Sequence, residues 1–335
     1  MTHYSPSRRR VLAGAACAAL LAASGTAGAQ ARDYPQRAIK IVSVSSAGTG
    51  IDDYTRLLAK FLAQKLGQSV VVENRPGANM ILATDYVAKA APDGYTLLLT
   101  ASSSMSANPF LVRKLPYNPA TDFVPVARLT SLPIALVVSA SSPYKSVADL
   151  VGDARKRPGK LNGASSGTGY RLMSAAFTDA AGIHTTDVPY KATSGVLPDL
   201  IGGSVDFTMV EVSAVLPLVQ ANKLRALAML SPRRVPLLPD VPTLAEVSTE
   251  NRALVEAVSS TNWTGLFAPA GTPAAIVERL DGLAREFVNS PEAMAHYAAR
   301  GSLPNPGSGK ELGKAVVSDQ QVWKRLIAMT GMQAE

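Results

Sequence analysis

The chain has 335 residues, of which 47% are hydrophobic, so it can fill the core of one large domain or of two ordinary domains. Its formal charge is +8, but the basic residues occur singly or in short groups without interleaved aromatic residues. This distribution argues against a basic stripe for nucleic acid, and we expect no nucleic-acid partner.

The first 29 residues have the pattern of a bacterial secretory signal peptide. Three arginines at positions 8–10 precede an apolar run, and Ala27-Gly28-Ala29 offers small residues for cleavage before Gln30. Adjacent arginines permit the twin-arginine export route as well as the Sec route. Because the apolar run is shorter than the roughly 20 residues that span a bilayer, we expect cleavage near Ala29 and a periplasmic location.

Cleavage there would remove Cys17, the one cysteine of the chain, and would lower the formal charge from +8 to +5. The mature chain would then have no thiol for a disulfide, a thiolate zinc site or a nucleophile. Its two histidines, His184 and His296, are far apart and lack the spacing of a metal site. We therefore expect neither a metal ion nor another cofactor.

Strand and helix patterns alternate through the first half of the mature chain, which predicts a parallel sheet covered by helices. The predicted strands are 39–44, 69–73 and 96–100, and the predicted helices are 51–66 and 81–90. The first and third strands each end in a loop of small and hydroxyl-bearing residues. Since open parallel sheets bind ligands at the carboxyl ends of their strands, we predict ligand contacts there. The candidates are Ser45, Ser46, Gly48, Thr49, Gly50, Asp52, Ala101, Ser102 and Ser103.

The second half repeats this alternation. The predicted strands are 134–138, 161–164, 186–188, 205–210 and 224–230, and the predicted helices are 147–157, 171–181, 196–201 and 214–221. Two α/β lobes with facing loops predict a cleft between them. The candidates on the second lobe are Ser165, Ser166, Gly167, Thr168, Gly169, Ala192, Thr193 and Glu211.

The last part of the chain follows a proline-rich linker at 232–242. Its pattern predicts a strand at 263–268 and two helices at 273–289 and 309–329. Helices that follow a returning strand usually cover the sheet which that strand joins. We therefore expect both to dock on the first lobe.

The loop after the first strand also resembles a dinucleotide fingerprint, because Gly48-Thr49-Gly50 precedes a helix. The resemblance fails at Asp53, which stands where a third glycine belongs, and with Asp52 it would set two carboxylates against a pyrophosphate. In the first helical turn, a carboxylate stabilises the helix by about 0.3–1 kcal/mol. Asp52 therefore has two possible roles, one in stabilising the helix and one in facing the ligand.

The segment 163–167 (GASSG) matches the nucleophile elbow of serine hydrolases, with Ser165 as the nucleophile. A hydrolase also needs an acid and a histidine base later in the chain. His184 follows the serine too closely, and His296 lies in a late amphipathic segment. An exported serine hydrolase remains the alternative function.

Nine short motifs, in order along the mature chain, carry a resemblance to a known family. They are 71–78 (VVENRPGA), 91–97 (APDGYTL), 108–109 (NP), 114–117 (KLPY), 164–167 (ASSG), 188–191 (VPYK), 223–228 (KLRALA), 238–243 (LPDVPT) and 263–269 (WTGLFAP). The chain resembles the periplasmic substrate-binding proteins of tripartite tricarboxylate transporters, also known as the Bordetella uptake family. The resemblance covers nearly all of the mature chain.

This resemblance implies an α/β fold of the two-lobed periplasmic binding protein type (type II, Venus flytrap), with the cleft between the lobes. It divides the chain into a first lobe at 30–133 with 253–335 and a second lobe at 134–252. It implies a binding protein without enzymatic activity, which captures a small carboxylated solute for membrane permease subunits. We expect a monomer.

The chain departs from the family pattern at several positions in its ligand loops. Ser46 and Ala47 stand where the family commonly has prolines, Arg171 falls near a usual histidine, and Glu211 falls near a usual Asp-Asn pair. Arg171 either supplies a charge to the solute or faces solvent from its helix. These departures leave the identity of the solute open.

Overall fold

The computed structural model describes residues 34–231, 233–251, 254–255 and 261–330. The predicted signal peptide and its cleavage site lie outside these residues. Within the described ranges, none of the helices combines the length and the apolar character that a membrane span requires.

The secondary structure alternates between strands and helices, as the sequence predicts. The strands are β1 (Ile39–Ser43), β2 (Val70–Asn74), β3 (Thr96–Ala101), β4 (Phe123–Ser131), β5 (Ile134–Ser139), β6 (Asn162–Ser166), β7 (Thr186–Tyr190), β8 (Phe207–Glu211), β9 (Leu224–Leu230), β10 (Trp263–Pro269) and β11 (Leu303–Ser308). The helices are α1 (Gly50–Leu66), α2 (Ile81–Ala88), α3 (Ser102–Ser106), α4 (Asn108–Leu111), α5 (Val147–Lys156), α6 (Thr168–Ala180), α7 (Thr193–Gly202), α8 (Val212–Gln220), α9 (Leu244–Val247), α10 (Ala274–Val288), α11 (Pro291–Arg300) and α12 (Gly309–Thr330).

The first sheet has six strands in the order β11-β4-β10-β3-β1-β2. Strands β1, β2 and β3 are parallel, and Ile39, Ile41 and Leu97 are fully buried beneath the helices. Strand β10 lies antiparallel between β3 and β4. The sheet is therefore mixed rather than parallel throughout, because β10 enters it as the chain returns from the second sheet.

The second sheet has five strands in the order β7-β6-β8-β5-β9. Strand β6 is parallel to β7 and β8, whereas β5 is antiparallel to β8 and β9. Only Leu132 and Pro133 separate β4 from β5, so the chain passes directly from one sheet to the other. It returns between β9 and β10, and the division into lobes at 133 and 252 stays a prediction.

Strand β11 was not predicted, although it pairs with β4 at the edge of the first sheet. Its sequence, LPNPGS, contains two prolines, and proline cannot donate a hydrogen bond to a neighbouring strand. An edge strand tolerates this because one of its sides has no partner strand. The pattern of residues alone favours a loop here.

Helix α12 packs against both lobes, although we expected the C-terminal helices to dock on the first. Leu312 and Val316 belong to a core cluster of the first lobe, whereas Trp323 and Leu326 pack in a cluster with residues of α6. A helix of 22 residues is about 33 Å long. This length allows α12 to bridge the two sheets.

Candidate functional site

The loop between β1 and α1 forms part of the first lobe's inner face. Thr49 caps α1, because its hydroxyl accepts a hydrogen bond from the Asp52 amide at 3.3 Å. The same hydroxyl donates to the Ser46 carbonyl at 2.9 Å. Gly48 has φ of +79°, a backbone conformation that other residues rarely adopt. Together these features give the loop a defined turn in front of the helix.

The Asp52 side chain anchors this loop to the start of α1. This side chain is only 2% exposed and accepts hydrogen bonds from the Gly48 amide at 2.8 Å, from Asn74 at 2.8 Å and from Arg56 at 3.0 Å. Burial alone would raise the pKa of this carboxyl, but the hydrogen bonds from Asn74, Arg56 and Gly48 outweigh it and lower the pKa. Asp52 is therefore an ionised anchor of the loop.

The first of two adjacent cavities, of about 260 Å³, opens between this loop and the second lobe. It contains hydroxyl groups from both lobes and an apolar floor. Its lining residues are Ser45, Ser46, Thr49, Gly50, Ile51, Tyr54, Thr130, Leu132, Glu211, Ser213, Thr264, His296, Arg300 and Ser302. We name it the α1 cavity.

The second cavity, of about 140 Å³, lies between the α3 region of the first lobe and the start of α6 on the second. Its lining residues are Asn79, Met80, Ala101, Ser102, Ser103, Ala107, Asn108, Leu111, Ser166, Gly167, Thr168, Gly169, Tyr170, Met173, Glu211, Asn262 and Trp323. We name it the α6 cavity. Because both cavities are lined by Glu211, they are neighbouring parts of one cleft.

The α6 cavity contains the N-terminal end of a 13-residue helix. Gly167 precedes the helix with φ of +97°, and no side chain caps it. The first amides of any α-helix lack an acceptor within the helix. In α6 the residues that carry these amides, Thr168, Gly169 and Tyr170, line the cavity. The helix dipole adds positive potential at the same end of the helix. This end of the cleft suits an anion.

Glu211 ends β8 at the boundary between the two cavities. Its oxygens accept hydrogen bonds from Tyr170 at 2.8 Å and from Ser213 at 3.4 Å. Burial raises the pKa of this carboxyl, and the two hydroxyl donors offset part of that effect by favouring its ionised form.

Sequence reasoning missed the contribution of α11 to the α1 cavity. His296 and Arg300 line this cavity, and Arg300 forms an ion pair with Asp53 of α1. Burial lowers the pKa of His296, with a further lowering by Arg300 and an opposing effect of Asp53. Nothing in the local sequence of α11 marks these residues, because only the packing of α11 against α1 and α8 places them here.

Most of the predicted site residues line one of the two cavities, but five do not. Gly48 belongs to the first loop, and its amide donates to Asp52, which lies at the start of α1. Thr193 contacts the cleft indirectly, through a hydrogen bond of 2.9 Å between its hydroxyl and that of Ser166. Ala192 precedes α7 on the exposed side of this contact. The fifth is Ser165.

Ser165 faces away from the cleft. Its side chain is buried and donates a hydrogen bond to Asp187 at 2.7 Å, and Arg171 pairs with the same carboxylate at 2.8 Å. In the described part of the chain, no histidine is hydrogen-bonded to the Ser165 hydroxyl. A nucleophilic serine needs such a base. Arg171 is likewise occupied outside the cavities.

The sequence of the chain is similar to those of known proteins. The profile of the tripartite tricarboxylate transporter family receptor matches residues 54–332. The protein BugT of Bordetella pertussis is 33% identical over 315 residues, which are 93% of this chain and 95% of BugT. A protein from the tcbD-tcbE intergenic region of a Pseudomonas species is 35% identical, over 96% of this chain and 94% of its own.

The fold is also similar to those of solved structures. A Rhodopseudomonas palustris protein with adipate has 32% identity and a TM-score of 0.79, over 90% of this chain and 100% of its own. MatC from the same organism, with bound malate, has 29% identity and a TM-score of 0.75, over 88% of this chain and 100% of its own. These similarities confirm the predicted two-lobed α/β fold, and they do not support the hydrolase alternative. The chain belongs to the tripartite tricarboxylate transporter family of receptors.

Proposed function

We propose that this protein captures a small carboxylate in the cleft formed by the α1 and α6 cavities and delivers it to membrane permease subunits. Receptors of this family are periplasmic solute-binding proteins, not enzymes. The observation that carries the carboxylate proposal is the uncapped start of α6, which opens into the cleft opposite hydroxyl groups of the first lobe. Adipate and malate are present in two of the similar structures.

The proposed contacts are backbone amides and hydroxyl groups rather than basic side chains. On the first lobe the proposed residues are Ser45, Ser46, Thr49, Gly50, Ala101, Ser102 and Ser103, and on the second they are Ser166, Gly167, Thr168, Gly169 and Glu211. We propose these residues as contacts because each of them lines the α1 or the α6 cavity. The other five predicted residues, Gly48, Asp52, Ser165, Ala192 and Thr193, would then act by shaping the loops.

The strength of these contacts is sufficient for capture. Hydrogen bonds to a charged group contribute about 1.5–3 kcal/mol each, and a micromolar dissociation constant corresponds to about 8 kcal/mol. Four or five such bonds, shared between two lobes that close over the solute, reach this value after ordering costs. We propose closure by movement of the lobes about their two connecting segments.

The remaining parts of the proposal concern the cellular context. We propose export through the Sec or the twin-arginine route, with cleavage near Ala29, and a monomeric mature protein. We also propose that permease subunits of a tripartite transporter receive the solute. N-terminal sequencing of the exported protein tests the cleavage site, and size-exclusion chromatography tests the monomeric state.

Tryptophan fluorescence tests the location of binding. Both tryptophans are buried, but only Trp323 lines one of the two cavities, the α6 cavity, whereas the ring nitrogen of Trp263 donates to Asp319 at 2.7 Å. Titration with C4 to C6 dicarboxylates such as malate and adipate should change the emission of the mature protein. We expect Trp323→Phe to abolish most of this change and Trp263→Phe to retain it. The opposite result would place the solute outside the α6 cavity.

A further inference from the structure

Glu211 is a carboxylate inside the proposed solute cleft. It lines both cavities, and its two oxygens accept hydrogen bonds from the hydroxyl groups of Tyr170 and Ser213. Both donors are neutral, so they satisfy part of the hydrogen-bonding capacity of the carboxylate without neutralising its charge. Glu211 is partly buried, and a charge that is withdrawn from water normally has a partner of opposite sign.

No such partner is present in the described part of the chain. Other carboxylates around the cleft are paired, since Asp52 pairs with Arg56 at 3.0 Å and Asp53 pairs with Arg300. No lysine, arginine or histidine of the described residues forms an ion pair with Glu211. Arg300 shares the α1 cavity with Glu211, but its guanidinium is directed to Asp53.

The surroundings of Glu211 separate two charge preferences within one small cleft. Tyr170 belongs to the first turn of α6 and also bonds Glu211, so the amides that favour an anion and the carboxylate that favours a cation are neighbours. A solute with only negative groups would bind the amides at the start of α6 and leave the Glu211 carboxylate unpaired. A solute with both charges would satisfy both.

We propose that Glu211 binds a positively charged amine of the solute, which makes the solute class a small amino carboxylate. This inference rests on the proposed function and specifies its ligand. The carboxylate of the solute lies at the start of α6, and its ammonium group lies at the boundary of the two cavities, where it donates to the free lone pairs of Glu211. No proton transfer or other chemistry is required.

The test compares ligands that differ only by the amine. Isothermal titration calorimetry on the mature protein would use the pairs aspartate and succinate, glutamate and glutarate, β-alanine and propionate, and γ-aminobutyrate and butyrate. We expect the amino member of at least one pair to bind about tenfold or more tightly than its amine-free counterpart, as for a hydrogen bond to a charged group. In Glu211→Gln, this preference should fall about tenfold, to near equality.

Glutamine keeps the size of the side chain and can still accept the Tyr170 hydrogen bond, so we expect the variant to fold. Melting temperature verifies this, and Glu278→Gln, which changes an exposed carboxylate on α10, is the matched control. A purely structural role of Glu211 would alter stability without altering the ratio within a pair. The ratio of the two affinities within a ligand pair therefore distinguishes amine binding by Glu211 from a purely structural role.

Four outcomes contradict the proposal. Equal binding of both members of every pair, or an amine preference that Glu211→Gln retains, overturns the role of Glu211 while the carboxylate function stands. Tighter binding of the amine-free members likewise overturns it, and would indicate that Glu211 is protonated and donates to a carboxylate. Binding of none of these ligands, nor of malate or adipate, overturns the proposed function together with this inference.

Discussion

Thr168→Asp is expected to weaken the binding of carboxylate solutes about 100-fold. Thr168 is the first residue of α6 and lines the α6 cavity. A carboxylate at this position would occupy the positive potential that the solute uses. Two unit charges 4 to 5 Å apart repel by about 3–4 kcal/mol at an effective dielectric constant of 20, and each 1.4 kcal/mol is a factor of ten in affinity.

The fold should not suffer from this change. An acidic residue in the first turn of a helix stabilises it by about 0.3–1 kcal/mol, so the melting temperature in the absence of solute should be unchanged or higher. Thr168→Asn is the matched control, because it has nearly the shape of aspartate without the charge. Calorimetric titration of both variants with the same carboxylate measures the effect.

If both variants bind equally, the charge at the start of α6 does not matter, and the solute carboxylate lies elsewhere in the cleft. If both lose binding, the cause is the shape of the side chain and not its charge. Only a large loss in Thr168→Asp with near-normal binding in Thr168→Asn supports the proposed site.

Asp52→Ala is expected to lower the free energy of unfolding by about 3 kcal/mol, since it removes a buried carboxylate that accepts three hydrogen bonds. The Gly48 amide and the Asn74 side chain would lose their acceptor. We discount the contribution of Arg56, which is half exposed and can return to water. Urea denaturation measures the loss.

Asp53→Ala is the matched control in the same helical turn. Asp53 is partly exposed and pairs with the partly exposed Arg300, so its removal should cost less than about 1 kcal/mol. Solute binding should also weaken in Asp52→Ala, because the loop from Ser45 to Gly50 loses its anchor. Equal destabilisation by the two substitutions would contradict the anchoring role of Asp52.

The effect of Asp52 should depend on pH in a defined direction. The folded protein lowers the pKa of this carboxyl below its unfolded value of about 3.9. The stability that Asp52 contributes is therefore fully present above that value and is lost as the pH falls through the folded pKa. The difference in unfolding free energy between wild type and Asp52→Ala should be constant from pH 7 to about pH 5 and should shrink at lower pH.

The local sequence was sufficient to predict the loops of the cleft. Alternation of apolar strands and amphipathic helices indicated where strands end, and small residues there indicated close approach to a ligand. Ser45, Ser102 and Thr168 line the cavities, and their contact with a solute stays a prediction. The sequence could indicate these loops because the direction of parallel strands alone places their carboxyl ends, and hence the loops, at one edge of the sheet.

The sequence could not predict the direction in which each side chain points. Asp52 and Ser165 belong to the predicted candidates, yet their polar atoms bond Asn74 and Asp187, and neither residue lines a cavity. A shift of one residue turns a side chain of a strand to the opposite face and rotates a side chain of a helix by about 100°. Periodicity does not determine this choice at the irregular junction between strand and helix.

The sequence by itself therefore determined the class of fold, the family and the loops that form the cleft, because each follows from local patterns or from motifs in order. Only the tertiary structure decided that α11 contributes His296 and Arg300, that α12 bridges both lobes, and that Glu211 joins the two cavities without a cationic partner among the described residues. These features depend on contacts between segments distant in sequence. Such contacts are set by packing, which no single segment encodes.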